Sequence, residues 1–357
     1  MTSTTGEPVS LNATTPLALL TPPTPPTPPT ALATLTTPTT SATLIALTAL
    51  ARRQRGVLLT RQATDMGWTP ARLHRALKRD GWTQVRHGSW AEPGLVVDRT
   101  VRLRALQLAH PRLVASHRTA AWVHGIELLL SGSTEEPGLE LTTAANTSVA
   151  LPPRSRVHRA ALPEGATAYV SGIRVTTVTR TLADLLRSSS REEALVAVES
   201  AVSIRPPGTD PGVSRPAFTH LGAIAAALEA GPRRGLRTGR ARLGLADRRS
   251  GSPAETVARL HIHEAGLHPE PQAQVRPLGG RRLSVDFLFR AEGVAVEIEG
   301  YAYHGDRAAH DRDVRRFNDL ALCQLIRRTL RFTAMDVYRR PEAMIEDIRR
   351  ALTLARG

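Results

Sequence analysis

The chain has a single cysteine, Cys323, among its 357 residues. That excludes an intramolecular disulfide and any zinc site built from cysteines, and it fits a reducing compartment. Lysine is almost as scarce: Lys78 is the only one, so nearly all of the positive charge is carried by arginine. Aromatic residues make up 4% of the chain while hydrophobic residues make up 41%, so its cores must be built on Ala, Leu and Val. No apolar run reaches the 18 or so residues that a spanning helix needs. The first arginine is Arg52, so the start lacks the positive region of a secretory signal. A soluble, cytoplasmic protein without a membrane partner is expected.

Present in excess is positive charge. Lys and Arg number 47 against 32 acids, a net charge of +15. Guanidinium groups neutralise phosphates and release counterions, so a nucleic acid is the leading partner class.

The composition changes along the chain, and the length suggests two or three domains. Residues 1–43 are rich in Thr, Pro, Ala and Leu, carry the tract PPTPPTPPT and have one charge, Glu7. Repeated proline removes backbone donors and favours extended conformations, so this stretch reads as a disordered tail. Residues 44–98 have the punctuation of a winged helix-turn-helix. LIALTALARRQ is a first helix, Thr60 is placed to cap a short second one, and Thr69 caps a third with Pro70 at its first position. That helix, PARLHRALKRD, gathers Leu73, Ala76 and Leu77 on one face and Arg72, Arg75, Lys78 and Arg79 on the others. WTQVRHGSWA then alternates about a His87-Gly88 turn like a β-hairpin wing, with Arg86 on it. A basic helix after a short turn is the usual major-groove reader, which makes these five cations candidate DNA contacts. Such modules also serve as protein-docking units.

Residues 99–202 mix helices (VRLRALQLAH, HRTAAWVHGI, TRTLADLLR, REEALVAVESAV) with short strands (LELTT, SRVHRA, IRVTTV), as a middle α/β domain. His117, His124 and His158 are scattered through it and read as structural. Residues 203–250 read as a basic linker around a short helix, LGAIAAALEA, with seven arginines between Arg233 and Arg249 against one acid, Asp247. A basic strap of this kind suits a phosphate backbone and suits a solvated connector equally.

Residues 251–357 carry the acids that stand out of place. Ser252-Pro253-Ala254-Glu255 has the spacing of a capping box, which accounts for Glu255 without catalysis. Three strand-like runs follow: AQVRP, then RRLSVDFLF after a Gly279-Gly280 turn, then GVAVEIEG. In the last, Glu297 and Glu299 share one face because strand side chains alternate. Asp286 interrupts an apolar run. Acids in such places repel one another and are costly to bury unless something positive lies between them. Hard oxygen ligands suit Mg²⁺ or Mn²⁺, and a bound ion would supply an activated water and offset charge on a phosphate. An edge strand with its acids in solvent is the plainer alternative.

The stretch from Ser252 to about Leu352 resembles the DUF559 family, related to the very-short-patch-repair endonucleases within the PD-(D/E)XK nuclease-like fold. The resemblance rests on SPAE, VDFLF, VAVEIEGYAYHG, the spacing Asp313-xx-Arg316-x-Asn318 and LRFTAMDVYRRPE. It implies a restriction-endonuclease-like α/β/α core, a helix glutamate (Glu255), a metal-bridging aspartate (Asp286), a second ligand (Glu297), a following acid (Glu299) and a histidine beyond the core strand (His304). Asp313, Arg316 and Asn318 would face the site from the next helix, with Arg316 toward phosphate. Where the generic motif ends in lysine this chain has Glu299, and the whole segment lacks lysine, so a lysine-assisted water is excluded. Residues 44–202 more weakly resemble the AbiEi-type antitoxin and regulator architecture of abortive-infection systems. The expectation is therefore an α/β multidomain protein acting as a metal-dependent endonuclease on DNA. Its alternatives are a non-catalytic DNA-binding regulator and an RNA nuclease. A homodimer and a toxin protein are further candidate partners.

Overall fold

The computed structural model describes residues 40–129, 137–144, 146, 149, 151–204, 215–277, 280, 282–299 and 307–357, and within them all side chains except those of 40–42 and 307–313. Among these residues the chain is a mixed α/β protein with thirteen helices and three sheets. None of the helices is long and apolar enough to cross a membrane.

The first group of elements is α1 (Thr40–Arg53), β1 (Val57–Leu59), α2 (Thr60–Asp65), α3 (Pro70–Arg79), β2 (Thr83–Arg86), β3 (Ser89–Ala91) and α4 (Arg99–Ala109). The strands pair antiparallel in the order β1-β3-β2. Thr69 caps α3 by accepting the Arg72 N–H, and Leu73, Ala76 and Leu77 are buried as their spacing requires. Thr60 is not a cap: it is the first residue of α2, and the Leu59 N–H is satisfied by the Gln62 side chain at 3.0 Å. The Thr60 hydroxyl instead accepts the Trp90 indole N–H at 3.2 Å, tying α2 to the hairpin.

The second sheet has five strands in the order β6-β5-β4-β8-β7, from β4 (Val114–Ala115), β5 (Glu140–Thr143), β6 (Arg156–Arg159), β7 (Thr167–Val170) and β8 (Ile173–Thr176). Leu103 and Leu106 of α4 pack with Leu141 and Val175 of this sheet. Helix α5 (His117–Val123) begins after Ser116, as expected, but the serine hydroxyl accepts from Thr142 rather than capping the helix. Around α6 (Val178–Ser188) and α7 (Arg191–Val202) lies an apolar core of Leu182, Leu185, Ala194, Val198 and neighbours. Residues 194–202 of α7 are buried on every side, as a helix apolar all round should be. The expected connector at 203–250 differs from what is found: α8 (Leu221–Ala230) and α9 (Leu236–Leu243) pack into this core through the fully buried Ile224 and Leu228. A Cβ at Gly239 would come within 2.8 Å of Leu228, so glycine is what lets α9 approach.

The third sheet, order β12-β11-β10-β9, comprises β9 (Glu270–Val275), β10 (Leu283–Phe289), β11 (Val294–Glu299) and β12 (Arg328–Thr333). The first three strands are antiparallel; β11 and β12 are parallel and joined through α11 (Arg307–Ala321), since parallel strands need a crossover. One face packs on α10 (Pro253–Glu264), α12 (Ala334–Arg339) and α13 (Pro341–Arg356) through Phe287, Val296, Ile298 and Ile348. The other packs on α11 and the residues just after it through Val285, Ala295, Leu320 and Cys323. Helix α10 is fastened to α7 by buried polar bonds: Glu199, 1% exposed, accepts from Arg259, from Thr256 Oγ1 at 2.7 Å and from the Asp247 N–H at 2.9 Å.

Candidate active site

Asp286 lies at a break in its own strand. Val285 faces α11 while Phe287 faces the opposite layer, although residues two apart on a regular strand share a face. The register on β9 runs unchanged from Val285–Ala273 to Phe287–Pro271, so the irregularity is confined to Asp286 and Gln272. Gln272 has φ of 49°, a strained value for a residue with a Cβ. The strain has a counterpart in bonding. Gln272 Nε2 donates both to Glu255 Oε2 at 2.8 Å and to Asp286 Oδ1 at 3.0 Å, while its Oε1 accepts from Ser284 Oγ at 2.8 Å.

Gln272 thereby joins the carboxylates of Glu255 on α10 and Asp286 on β10, and Asp286 in turn acts by its charge on Glu297 of β11. Glu255, 9% exposed, also accepts the Gly251 N–H at 2.7 Å. Ser252 caps α10 by accepting the Glu255 N–H at 3.2 Å, but Glu255 reaches back to Gly251 and not to Ser252, so the expected reciprocal box is not formed. Asp286 Oδ2 accepts the Ile298 N–H across the strand pair at 2.7 Å. Glu297, 5% exposed, meets Arg316 of α11 with Nη2 at 2.9 Å from Oε2 and 3.1 Å from Oε1. The same nitrogen donates to the Ser284 carbonyl at 2.7 Å, which fixes the guanidinium over the sheet.

The electrostatics follow from burial and crowding. Glu255 is pushed up to about 8 by burial and by the Asp286 charge. Glu297 is pushed up to about 7 by burial and by Asp286, against the opposing pull of Arg316. Asp286 is also raised by burial, which the Ile298 N–H and Arg316 offset only in part. Groups with such proton affinities exchange protons near neutral pH, as a general acid or base must. Their hard oxygens also suit a divalent cation, which would replace the protons and relieve the repulsion. Among the described residues no three His, Cys, Asp or Glu side chains stand in a group able to hold a metal ion, and Glu297 is taken up by Arg316.

The other sequence candidates divide. Glu299 is paired with Arg331 of β12, whose guanidinium lies 3.7 Å over the Phe317 ring and also acts by its charge on Glu297. His304, like Tyr301 and Tyr303, lies outside the described residues, as does the side chain of Asp313; Asn318 is exposed. Gln272, which bridges two of the acids, carries no motif. Its only signal is register: 272 and 286 are equidistant from 279, in the expected Gly279-Gly280 turn. Far from this site, Arg72, Arg75, Lys78 and Arg79 are exposed on α3, Arg79 paired with Asp80 at 2.8 Å, and Arg86 is half-buried.

No family model matches the chain. No curated protein matches it. Among solved structures it is similar to the crystal structure of the RV2827C protein from Mycobacterium tuberculosis, at 18% identity and a TM-score of 0.38, over 64% of this chain and 82% of that one. A likeness of that degree assigns neither fold nor activity.

Proposed function

We propose that the chain is a metal-dependent endodeoxyribonuclease of the PD-(D/E)XK type. In this reading residues 251–357 form the restriction-endonuclease-like core, resembling the DUF559 family, and residues 44–98 a winged helix-turn-helix that docks on duplex DNA through Arg72, Arg75, Lys78, Arg79 and Arg86. Residues 99–202 form the middle, AbiEi-like α/β domain, and residues 203–250 join it to the core. The observation that carries the reading is the gathering of Glu255, Asp286 and Glu297 into one crowded, largely buried cluster. Asp286 raises the proton affinity of both Glu255 and Glu297; such buried acids weaken the fold, and a structural role does not call for them. Asp286 and Glu297 are the residues that would hold Mg²⁺ or Mn²⁺, with Glu299 extending the set. An ion held there would supply an activated water and offset charge on the phosphate. Arg316, 37% exposed in its side chain, would exchange Glu297 for a phosphate oxygen. Glu255, facing the pair through Gln272, moves a proton, and His304 orients water or the leaving group.

The Arg316–Glu297 ion pair favours a second reading. A scaffold that carries its own cation needs no metal, and the chain would then be a non-catalytic DNA-binding regulator or antitoxin with a toxin partner. Asp286→Ala separates the two. The nuclease reading requires metal-dependent DNA cleavage that this variant loses while its circular dichroism is unchanged; cleavage retained in Asp286→Ala refutes the site. Metal-independent binding to its own promoter without cleavage supports the regulator.

A further inference from the structure

A second polar site lies in the middle of the chain and plays no part in the carboxylate cluster. Between β6, α6 and the α8–α9 turn is a cavity of about 1200 Å³. His117 and His158 line it, their rings stacked with centroids 3.6 Å apart and planes 16° from parallel. His117 has φ of 49°, a left-handed value. Its Nδ1 lies 3.0 Å from Ser116 Oγ, and His158 Nε2 lies 3.4 Å from Glu140 Oε1. Burial, and then the neighbouring His158, hold His117 down to about 4, so it is uncharged at neutral pH.

One wall is α6. Arg180 donates to Asp184 Oδ2 at 2.8 Å and to the Ala161 carbonyl at 3.1 Å. Arg187 is 6% exposed in its side chain. Its Nη2 donates to the Leu228 carbonyl, but Nε and Nη1 are buried without a hydrogen-bond acceptor, the nearest carboxylate oxygen of Asp184 being 3.6 Å from Nη1. The α8–α9 turn is pressed onto this side chain. A Cβ at Gly231 would fall 2.2 Å from Arg187 Nη2, and one at Gly235 would fall 2.9 Å from its Cβ. The exposed Arg156, Arg159 and Arg234 stand at the rim, with no side-chain partner among the described residues. Five arginines and one aspartate thus line the cavity.

Buried guanidinium donors without acceptors, in a cavity with this excess of positive charge, favour an anion. Phosphate oxygens match the planar fork of arginine. A single carboxylate would leave most of the charge unbalanced, whereas a chain of phosphates would answer it, and the volume admits one with a nucleoside attached. We propose that this cavity binds a compact phosphate polyanion of the nucleotide class, with its phosphates against Arg187 and Arg180 and with Arg159 and Arg234 supplying the outer charge. The site is independent of the nuclease reading.

Isothermal titration of the full chain with ATP and with pyrophosphate tests it. Binding of either probe is expected, and Arg159→Ala and Arg234→Ala, both exposed and expected to fold normally, should each weaken it about tenfold by losing a charge-assisted contact. Asp286→Ala should bind as wild type does. Binding of ATP but not pyrophosphate marks a nucleotide; equal binding marks the phosphate chain alone, and both support the site. No binding of either probe overturns the proposal, as does binding that the two arginine variants leave unchanged. Capture of a single-stranded oligodeoxynucleotide that depends on Arg159 and Arg234, with no binding of ATP or pyrophosphate, also overturns it and makes the cavity a nucleic-acid contact.

Discussion

If Glu255 is a crowded acid and not a structural cap, replacing it with glutamine should stabilise the protein, and only above a definite pH. The folded chain holds the Glu255 proton up to about 8, against 4.5 for the exposed group. Below pH 4.5 the group is protonated in both folded and unfolded chains and makes no difference. Above it the unfolded chain releases the proton while the folded chain retains it, so stability falls as pH rises and the fall is complete past about 8. That span, at about 1.4 kcal/mol per pH unit, corresponds to a loss of about 5 kcal/mol, of which about 3 has been incurred by pH 7. Glutamine keeps an oxygen for the Gly251 N–H and for Gln272 without the charge. Glu255→Gln should exceed wild type by only about 1 kcal/mol near pH 5 and by about 3 to 5 kcal/mol at pH 8, with a shallower slope due to Glu297 remaining. Urea unfolding at four pH values between 5 and 8 measures this. Far-UV circular dichroism is the right probe, because Trp68, Trp82, Trp90 and Trp122 all precede the C-terminal sheet. Parallel wild-type and variant curves across the range, or a variant less stable at pH 8, would refute the reasoning.

Other outcomes follow from separate parts of the molecule. Glu199→Ala should destabilise by about 3 to 5 kcal/mol in the same assay, because it strands the buried Arg259 guanidinium and orphans the Asp247 N–H. Replacing Arg72, Arg75 and Lys78 together with alanine should weaken duplex DNA binding and lower the slope of log affinity against log salt by about 3, at about 0.9 per lost phosphate contact; an unchanged slope would remove α3 from the interface.

How much of this was legible in the sequence differs from element to element. Asp286 and Glu297 stand out in the sequence because charge inside apolar runs is conspicuous, while Arg316 is named only through the family resemblance. Thr69-Pro70 marked a helix start because capping is local. Glu255 was harder: the capping spacing explained it fully, and only β9 packing beside α10 reveals the carboxylates that crowd it. Gln272 needed the strand register. His117 and His158, expected as scattered structural residues, meet because β5 pairs with β6 in a way that no spacing announces. Helix α9 was expected as a connector since its arginines and glycines give little amphipathic pattern; Gly239, which looks like a breaker, is instead the contact point with Leu228. Strand β4, with two residues, carries too few for a periodic signal.

The measurement closest to the central claim is plasmid cleavage in Mg²⁺ or Mn²⁺ by wild type and by Glu297→Ala, with binding of the same plasmid followed in parallel. The account predicts nicking that requires the metal and is lost in the variant while plasmid binding persists. Cleavage by Glu297→Ala at the wild-type rate, or intact plasmid bound but uncut by wild type in both metals, would contradict it.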